Sequence, residues 1–259
     1  MKIDVKQSVM AKIDVRQSVM AKIDVKQSVM AKIDVKQSVM EANNELAAEL
    51  RARFAERRVL TLNMISSPGS GKTALLENTL LRLRNQLNVG ILVGDVQTEN
   101  DARRLAVYGF PVKQIITSGT CHLEAHMIQK HLPFVDQGDL DLLIIENVGN
   151  LVCPSSYDLG EDFKVVLLSV TEGEDKPLKY PGIFRRAKVA MITKTDLLPH
   201  TDFDLDLAER NIRSIHNEID ILTLSSRTGE GFDRWIDWLQ KRVQEKQSLG
   251  AAEREPEFP

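Results

Sequence analysis

The chain has 259 residues, of which 42% are hydrophobic and 27% charged, enough apolar mass for one sizeable domain or two small ones. The net charge of -3 is uneven: residues 1–40 carry +4 and the remainder -7, and an acidic body excludes nucleic acid as the expected main partner. No apolar leader block and no apolar run of about 18 residues is present, so neither secretion nor a membrane span is expected and the chain is placed in the cytoplasm. With only Cys121 and Cys153, a disulfide scaffold is excluded.

The first forty residues are four near-identical decapeptides, the first running Met1 to Met10, with Arg16 as the notable variant. Each unit places Gln three residues after Asp, a spacing that lets the two satisfy each other's free backbone N–H groups at a helix start. From Asp34 a Glu-, Ala-, Leu- and Arg-rich stretch continues to Arg58 without Gly or Pro, which predicts a helix over 34–58. Ten residues do not return a helix to the same face, so the apolar stripe winds around the axis, and residues 1–33 read as an extension.

Beyond Val59, short β-branched runs alternate with helical patterns. Strands are predicted near 59–65, 89–94, 112–117, 140–146, 164–170, 188–193 and 220–225, and helices near 72–87, 98–108, 121–132, 177–186, 204–217 and 232–246. The expected fold is α/β, a mostly parallel, doubly wound sheet preceded by an N-terminal helical extension; residues 66–73 and 193–196, at strand ends, mark it as a P-loop GTPase. Such sheets bind ligands at the carboxyl ends of their strands. The organisation expected is an extension over 1–33, a helix over 34–58, the nucleotide domain over 59–246 and an unstructured tail over 247–259.

After the first strand comes Ser66-Ser67-Pro68-Gly69-Ser70-Gly71-Lys72-Thr73, followed by Ala74 and a Leu-rich helix. Gly69 and Gly71 let backbone N–H groups, with that of Ser70, approach phosphate oxygens at a helix N-terminus. Lys72 is the expected contact for the β- and γ-phosphates and Thr73 the expected magnesium ligand. The full pattern has Gly where this chain has Ser66. Asp95, closing the second strand, is the first choice for a second magnesium carboxylate and Asp101 a weaker one. Glu146-Asn147-Val148-Gly149 has the form of a γ-phosphate sensor with Glu in place of Asp, and Gly149 N–H is its expected contact.

Thr193-Lys194-Thr195-Asp196 ends a later strand and varies the Asn-Lys-x-Asp pattern that reads guanine. A carboxylate at Asp196 can accept from N1–H and N2–H2 of guanine together, which adenine does not offer, while the Lys194 stem covers the base. Thr193 lacks the usual amide, so a weaker tie to the phosphate loop is expected. Ser225 and Ser226 close the next strand, where a backbone N–H meets the base oxygen.

Cys121-His122-Leu123-Glu124-Ala125-His126 is read as starting the helix after the third strand, where a helix N-terminus favours a thiolate. Cys153 follows Gly149 by four residues. Sulfur and imidazole donors suit nickel or zinc, and three of them, Cys121, His122 and Cys153, leave a four-coordinate site incomplete, so a two-fold dimer is one source of the rest. On composition alone, two small buried hydrophobes is the competing reading of the cysteines. His126 is a further ligand candidate or an exposed residue, and His131, His200 and His216 are read as surface residues.

From about residue 34 to 246 the chain resembles the HypB family, the GTPases of nickel insertion into nickel-iron hydrogenase. The resemblance is carried by the phosphate loop, Gly94-Asp95, Cys121-His122-Leu123, Glu146 through Pro154, and Thr171 through Pro181. It implies a GTPase binding GTP or GDP with Mg2+, a GTP-dependent homodimer holding Ni2+ or Zn2+ at Cys121, His122 and Cys153, a HypA-type metallochaperone and a hydrogenase large-subunit precursor as partners; with no residue found to orient the attacking water, slow turnover is expected. The N-terminus departs from the family's Cys-x-x-Cys-Gly-Cys or His-rich forms, so no nickel store is expected there. Rival readings are a maturation GTPase of the same class for urease or a cobalamin enzyme, a P-loop metabolite kinase, and a nickel-binding storage or scaffold protein whose nucleotide site is vestigial, against which Lys72, Thr73 and Asp95 argue.

Overall fold

A computed structural model describes residues 37–97 and 100–248. The decapeptide repeats up to residue 36 and the final segment therefore lie outside the described residues. The chain forms two compact units that divide between Ala42 and Asn43. Of the first, residues 37–42 are described and are helical, with Gln37 donating to Glu41 over 3.1 Å.

The second unit is built on seven strands: β1 Leu60–Ser66, β2 Val89–Asp95, β3 Val112–Ile116, β4 Leu142–Glu146, β5 Phe163–Ser169, β6 Ala187–Thr193 and β7 Asp220–Leu224. Their order across the sheet is β3-β2-β4-β1-β5-β6-β7, and each neighbouring pair is parallel. β1 lies between β4 and β5, with Met64 opposite Glu146 and Ser66 opposite Leu167. The chain leaves β1 toward one half of the sheet and returns to fill the other, which opens a crevice at the carboxyl end of β1.

Helices cover both faces, so strand residues are buried in both directions and read as continuous apolar runs. Alternation still sorts them. Val165 and Leu167 of β5, with Val189 and Met191 of β6, face one core, while Val166, Leu168, Ala190 and Ile192 face the opposite one. The first core is filled by Leu75, Leu76 and Leu80 of the helix Lys72–Leu83 and by Trp235, Leu239 and Val243 of the helix Phe232–Ser248. Trp235 is fully buried and its indole N–H donates to Thr79 Oγ1 at 3.0 Å. On the reverse face, the helix over 37–56 contributes Ala47, Leu50 and Phe54, packed beside Ile128 of the helix Ala125–His131. Among the described residues no helix is long and apolar enough to cross a membrane.

Two predicted helices differ from what folds. The stretch 177–186 is broken into Lys176–Lys179 and Pro181–Arg186, because Pro181 offers no N–H to continue the first and Tyr180 turns out of helical geometry with φ -124° and ψ 54°. The helix predicted from Cys121 begins only at Ala125, so Cys121 and His122 sit in the preceding turn and the helix end does not supply the field expected at the Cys121 sulfur.

Candidate nucleotide and metal site

Pro68, Gly69, Gly71, Lys72 and Thr73 of the phosphate loop fall in the crevice beyond β1. A cleft of about 440 Å³ is lined by Gly69, Gly71, Lys72, Thr73 and Ala74 on one side and by Asp95, Asp101 and Glu146 to Gly149 on the other. A larger cleft of about 740 Å³ lies at the opposite ends of the strands, near Asn88 and Asp141, and contains none of the motif residues.

Within the cleft, Lys72 is buried and its ammonium donates to Ser66 Oγ at 2.8 Å, so the serine standing where the pattern has glycine holds the lysine beside the loop. Burial holds the Lys72 pKa below its ordinary value, against the pull of Glu146 and other carboxylates. Thr73 Oγ1 donates to Glu146 Oε1 at 3.0 Å. The other oxygen of Glu146 is buried without a hydrogen bond, and burial pushes its pKa up to about 7 despite Lys72 and Thr73. An acceptor left open beside a threonine hydroxyl has the chemistry of a divalent-cation ligand. Asp95 lines the same cleft and accepts from Gln97 N–H at 2.8 Å. The sequence reading put Asp95 first and Asp101 second for magnesium; the fold sets Glu146 against Thr73 directly.

Glu172 secures the loop from the other side. It accepts from Ser70 Oγ at 2.6 Å and from Ser169 N–H at 3.1 Å, and lies 3.2 Å from Lys176. Burial alone would raise its pKa, but the donors from Ser70, Ser67, Ser169 and Lys176 outweigh that and hold it below the usual range. This anchor was not singled out from sequence: Glu172 entered only within the Thr171–Pro181 stretch, since a glutamate two residues past the Val165–Val170 run carries no mark of burial.

The base-reading segment lies beside the loop. Thr193 Oγ1 donates to Ser70 O at 2.7 Å and Lys194 Nζ to Gly69 O at 2.7 Å, so the tie expected to be weak is made by a hydroxyl and an ammonium. Lys194 adopts φ 60°, which turns the chain into a 3-10 helix over Thr195–His200. Asp196 accepts from the hydroxyl of buried Ser225 at 2.6 Å, fixing the carboxylate, and Ser226 O accepts from Asn78 at 3.0 Å.

Cys121, His122 and Cys153 converge: their donor atoms all lie within 4.8 Å of one another. Two thiolates about 2.3 Å from one ion stand at most about 4.6 Å apart, so the spacing accepts a metal with little movement. Neither cysteine is in a disulfide. His122 Nδ1 is 3.9 Å from Cys121 Sγ, and its ring lies 3.8 Å from that of Tyr157. Its Nε2 is 3.4 Å from Glu124 Oε1 without a hydrogen bond. His126 stands outside the trio, with its Nδ1 3.3 Å from the other Glu124 oxygen. His216, read as a surface residue, is half-buried with its Nδ1 3.3 Å from Phe184 O.

The two sites share a segment. Gly149 lies so near the phosphate loop that a Cβ there would come within 3.1 Å of Pro68. One residue on, Asn150 Nδ2 donates to Cys121 O at 3.4 Å and Asn150 Oδ1 accepts from Val152 N–H at 3.0 Å, after which Cys153 opens a short helix over Cys153–Ser156.

The CobW/HypB/UreG nucleotide-binding domain model matches residues 60–223. The hydrogenase maturation factor HypB of Escherichia coli K12 is 50% identical over 200 residues, covering 77% of this chain and 69% of that protein. The chain belongs to the HypB family. A HypB crystal structure from Helicobacter pylori, in complex with nickel, superposes with a TM-score of 0.75 at 40% identity, covering 79% of this chain and 96% of that one. HypB from Archaeoglobus fulgidus gives a TM-score of 0.74 at 38% identity, covering 79% and 100%. As a HypB-family P-loop protein, the chain is a GTPase.

Proposed function

We propose that this HypB-family chain couples GTP hydrolysis to nickel delivery in the maturation of nickel-iron hydrogenase. One observation carries the reading: the donor atoms of Cys121, His122 and Cys153 meet within 4.8 Å, and the last of them follows the wall of the phosphate cleft by four residues. Nickel or zinc is cargo at this trio, and a second copy of the chain in a GTP-dependent homodimer completes its coordination. The similar proteins are a hydrogenase maturation factor and a HypB bound to nickel, which sets this reading above a urease or cobalamin maturation GTPase, a metabolite kinase, or a storage protein with a vestigial nucleotide site.

Gly69 to Ala74 cradle the phosphates, Lys72 meets the β- and γ-phosphates, and Gly149 N–H meets the terminal one. Lys194, Asp196, Ser225 and Ser226 hold guanine. Thr73, Asp95 and Glu146 fit a magnesium ion, since a buried carboxylate oxygen of Glu146 is left open there. When bound, that ion offsets charge on the phosphate oxygens. Movement of Gly149 toward the terminal phosphate draws Asn150 to Val152 with it and shifts Cys153 relative to Cys121 and His122, so hydrolysis loosens the metal. Turnover is slow, because no residue singled out from the sequence orients the attacking water. A HypA-type metallochaperone and a hydrogenase large-subunit precursor are the partners, in the cytoplasm, with residues 59–246 as the nucleotide domain.

Native mass spectrometry with GDP or a non-hydrolysable GTP analogue, with and without nickel, tests this. A nickel-loaded dimer is expected with the analogue and is lost in Cys121→Ala. Equal nickel loading of wild type in both nucleotide states overturns the reading.

A further inference from the structure

Asn147 is 1% exposed, and its side chain joins three separate segments. Its Oδ1 accepts from Val148 N–H at 2.9 Å, in the loop that lines the cleft opposite Lys72, and from Leu123 N–H at 3.2 Å, in the turn carrying Cys121 and His122. Its Nδ2 donates to Asn63 Oδ1 at 3.1 Å in the central strand β1, and its backbone N–H donates to Met64 O at 3.0 Å in the same strand. Asn63 is itself pinned by donating to Glu161 Oε1 at 3.1 Å. One carboxamide oxygen is thus shared between the nucleotide loop and the metal turn, on a post fixed to the sheet.

We propose that the Asn147 carboxamide is the positioning group that transmits nucleotide state to the Cys121–His122 half of the metal site. This rests on the coupling described above and adds a second arm to it. The Gly149–Cys153 connector moves one ligand, while Asn147 sets the other two. When Val148 and Gly149 turn toward a terminal phosphate, the Val148 N–H leaves the shared oxygen. The bond from Leu123 N–H then tightens and repositions the turn. In the diphosphate state the oxygen is again divided. A buried amide whose oxygen accepts two bonds suits this task, since each of its bonds is costly to leave unmade and a change in one is felt by the others.

The test is nickel affinity, by competition with a chromophoric chelator, in the presence of GDP and of a non-hydrolysable GTP analogue. Wild type, Asn147→Ala and Asn63→Ala are compared, with thiolate-to-nickel absorbance reporting that the site still forms. The ratio of affinities between the two states is expected at roughly 5- to 150-fold in wild type and within about twofold of unity in Asn147→Ala. Asn63→Ala, which only unpins the amide nitrogen, gives an intermediate ratio. A wild-type ratio retained in Asn147→Ala overturns the proposal. Should that variant not fold, an unchanged ratio in Asn63→Ala overturns it. A wild-type ratio of one is a different result: it defeats the coupling itself, before any variant is considered.

Discussion

Replacing Glu146 by Gln separates stability from function at the centre of the cleft. In the nucleotide-free chain, burial lifts the Glu146 pKa from an ordinary 4.5 to about 7. Between those values the folded chain holds a proton that the unfolded chain has released, so this group's contribution is fully present below about pH 4.5 and is lost as pH rises through 7. The shift corresponds to a cost on the order of 3 kcal/mol above pH 7. Glu146→Gln removes it, but also removes the carboxylate that most favours the charge of buried Lys72, which returns part of the gain. A net stabilisation of roughly 1–3 kcal/mol at pH 8, falling to nearly zero at pH 4.5, is expected, and at roughly 2–4 °C per kcal/mol that is several degrees in Tm. Thermal melts of both proteins at pH 4.5 to 8, in chelator without nucleotide, measure it. The difference between the curves matters, because other groups titrate equally in both. Parallel curves would refute the argument. The same variant is expected to lose magnesium-dependent GTP hydrolysis, showing that the ionised carboxylate is kept for its ligand and not for the fold.

Asp196→Ala is expected to weaken GTP binding roughly 10- to 100-fold, the worth of a charge-assisted pair of hydrogen bonds, with ATP affinity unchanged. Fluorescent nucleotide titration reads this, and an equal loss for both bases would count against guanine recognition. Trp235→Phe leaves Thr79 Oγ1 without its indole donor and disturbs the ring stacked 5.5 Å from Trp238. A loss of about 1–3 kcal/mol in urea unfolding is expected, with GTP affinity retained.

Much of the site was legible because its chemistry is local in sequence. A loop of glycines with Lys72 and Thr73 binds phosphate through contiguous N–H groups, so its spacing announces it. The Asp196 segment and the cysteines were legible as residue types, and the fold brings Cys121 and Cys153 together because β3 and β4, whose ends they follow, run parallel with only β2 between them, so both segments leave the same end of the sheet. The starting point of the helix after β3 was not legible: nothing between Cys121 and Glu124 marks a turn as strongly as Pro181 marks the break after Lys179. Nor was Glu172, whose role depends on Ser70, 102 residues earlier.

What the sequence determined alone was the alternation of buried strands and helices, and with it a parallel sheet with ligands at one end. What only the tertiary structure decided was which long-range polar partners meet: Glu146 with Thr73, Thr193 with Ser70, and Asn147 with Val148, Leu123 and Asn63. Hydrophobic periodicity is a property of neighbours along the chain, whereas a buried hydrogen bond requires two groups whose separation in sequence carries no information until the strands have been placed in order.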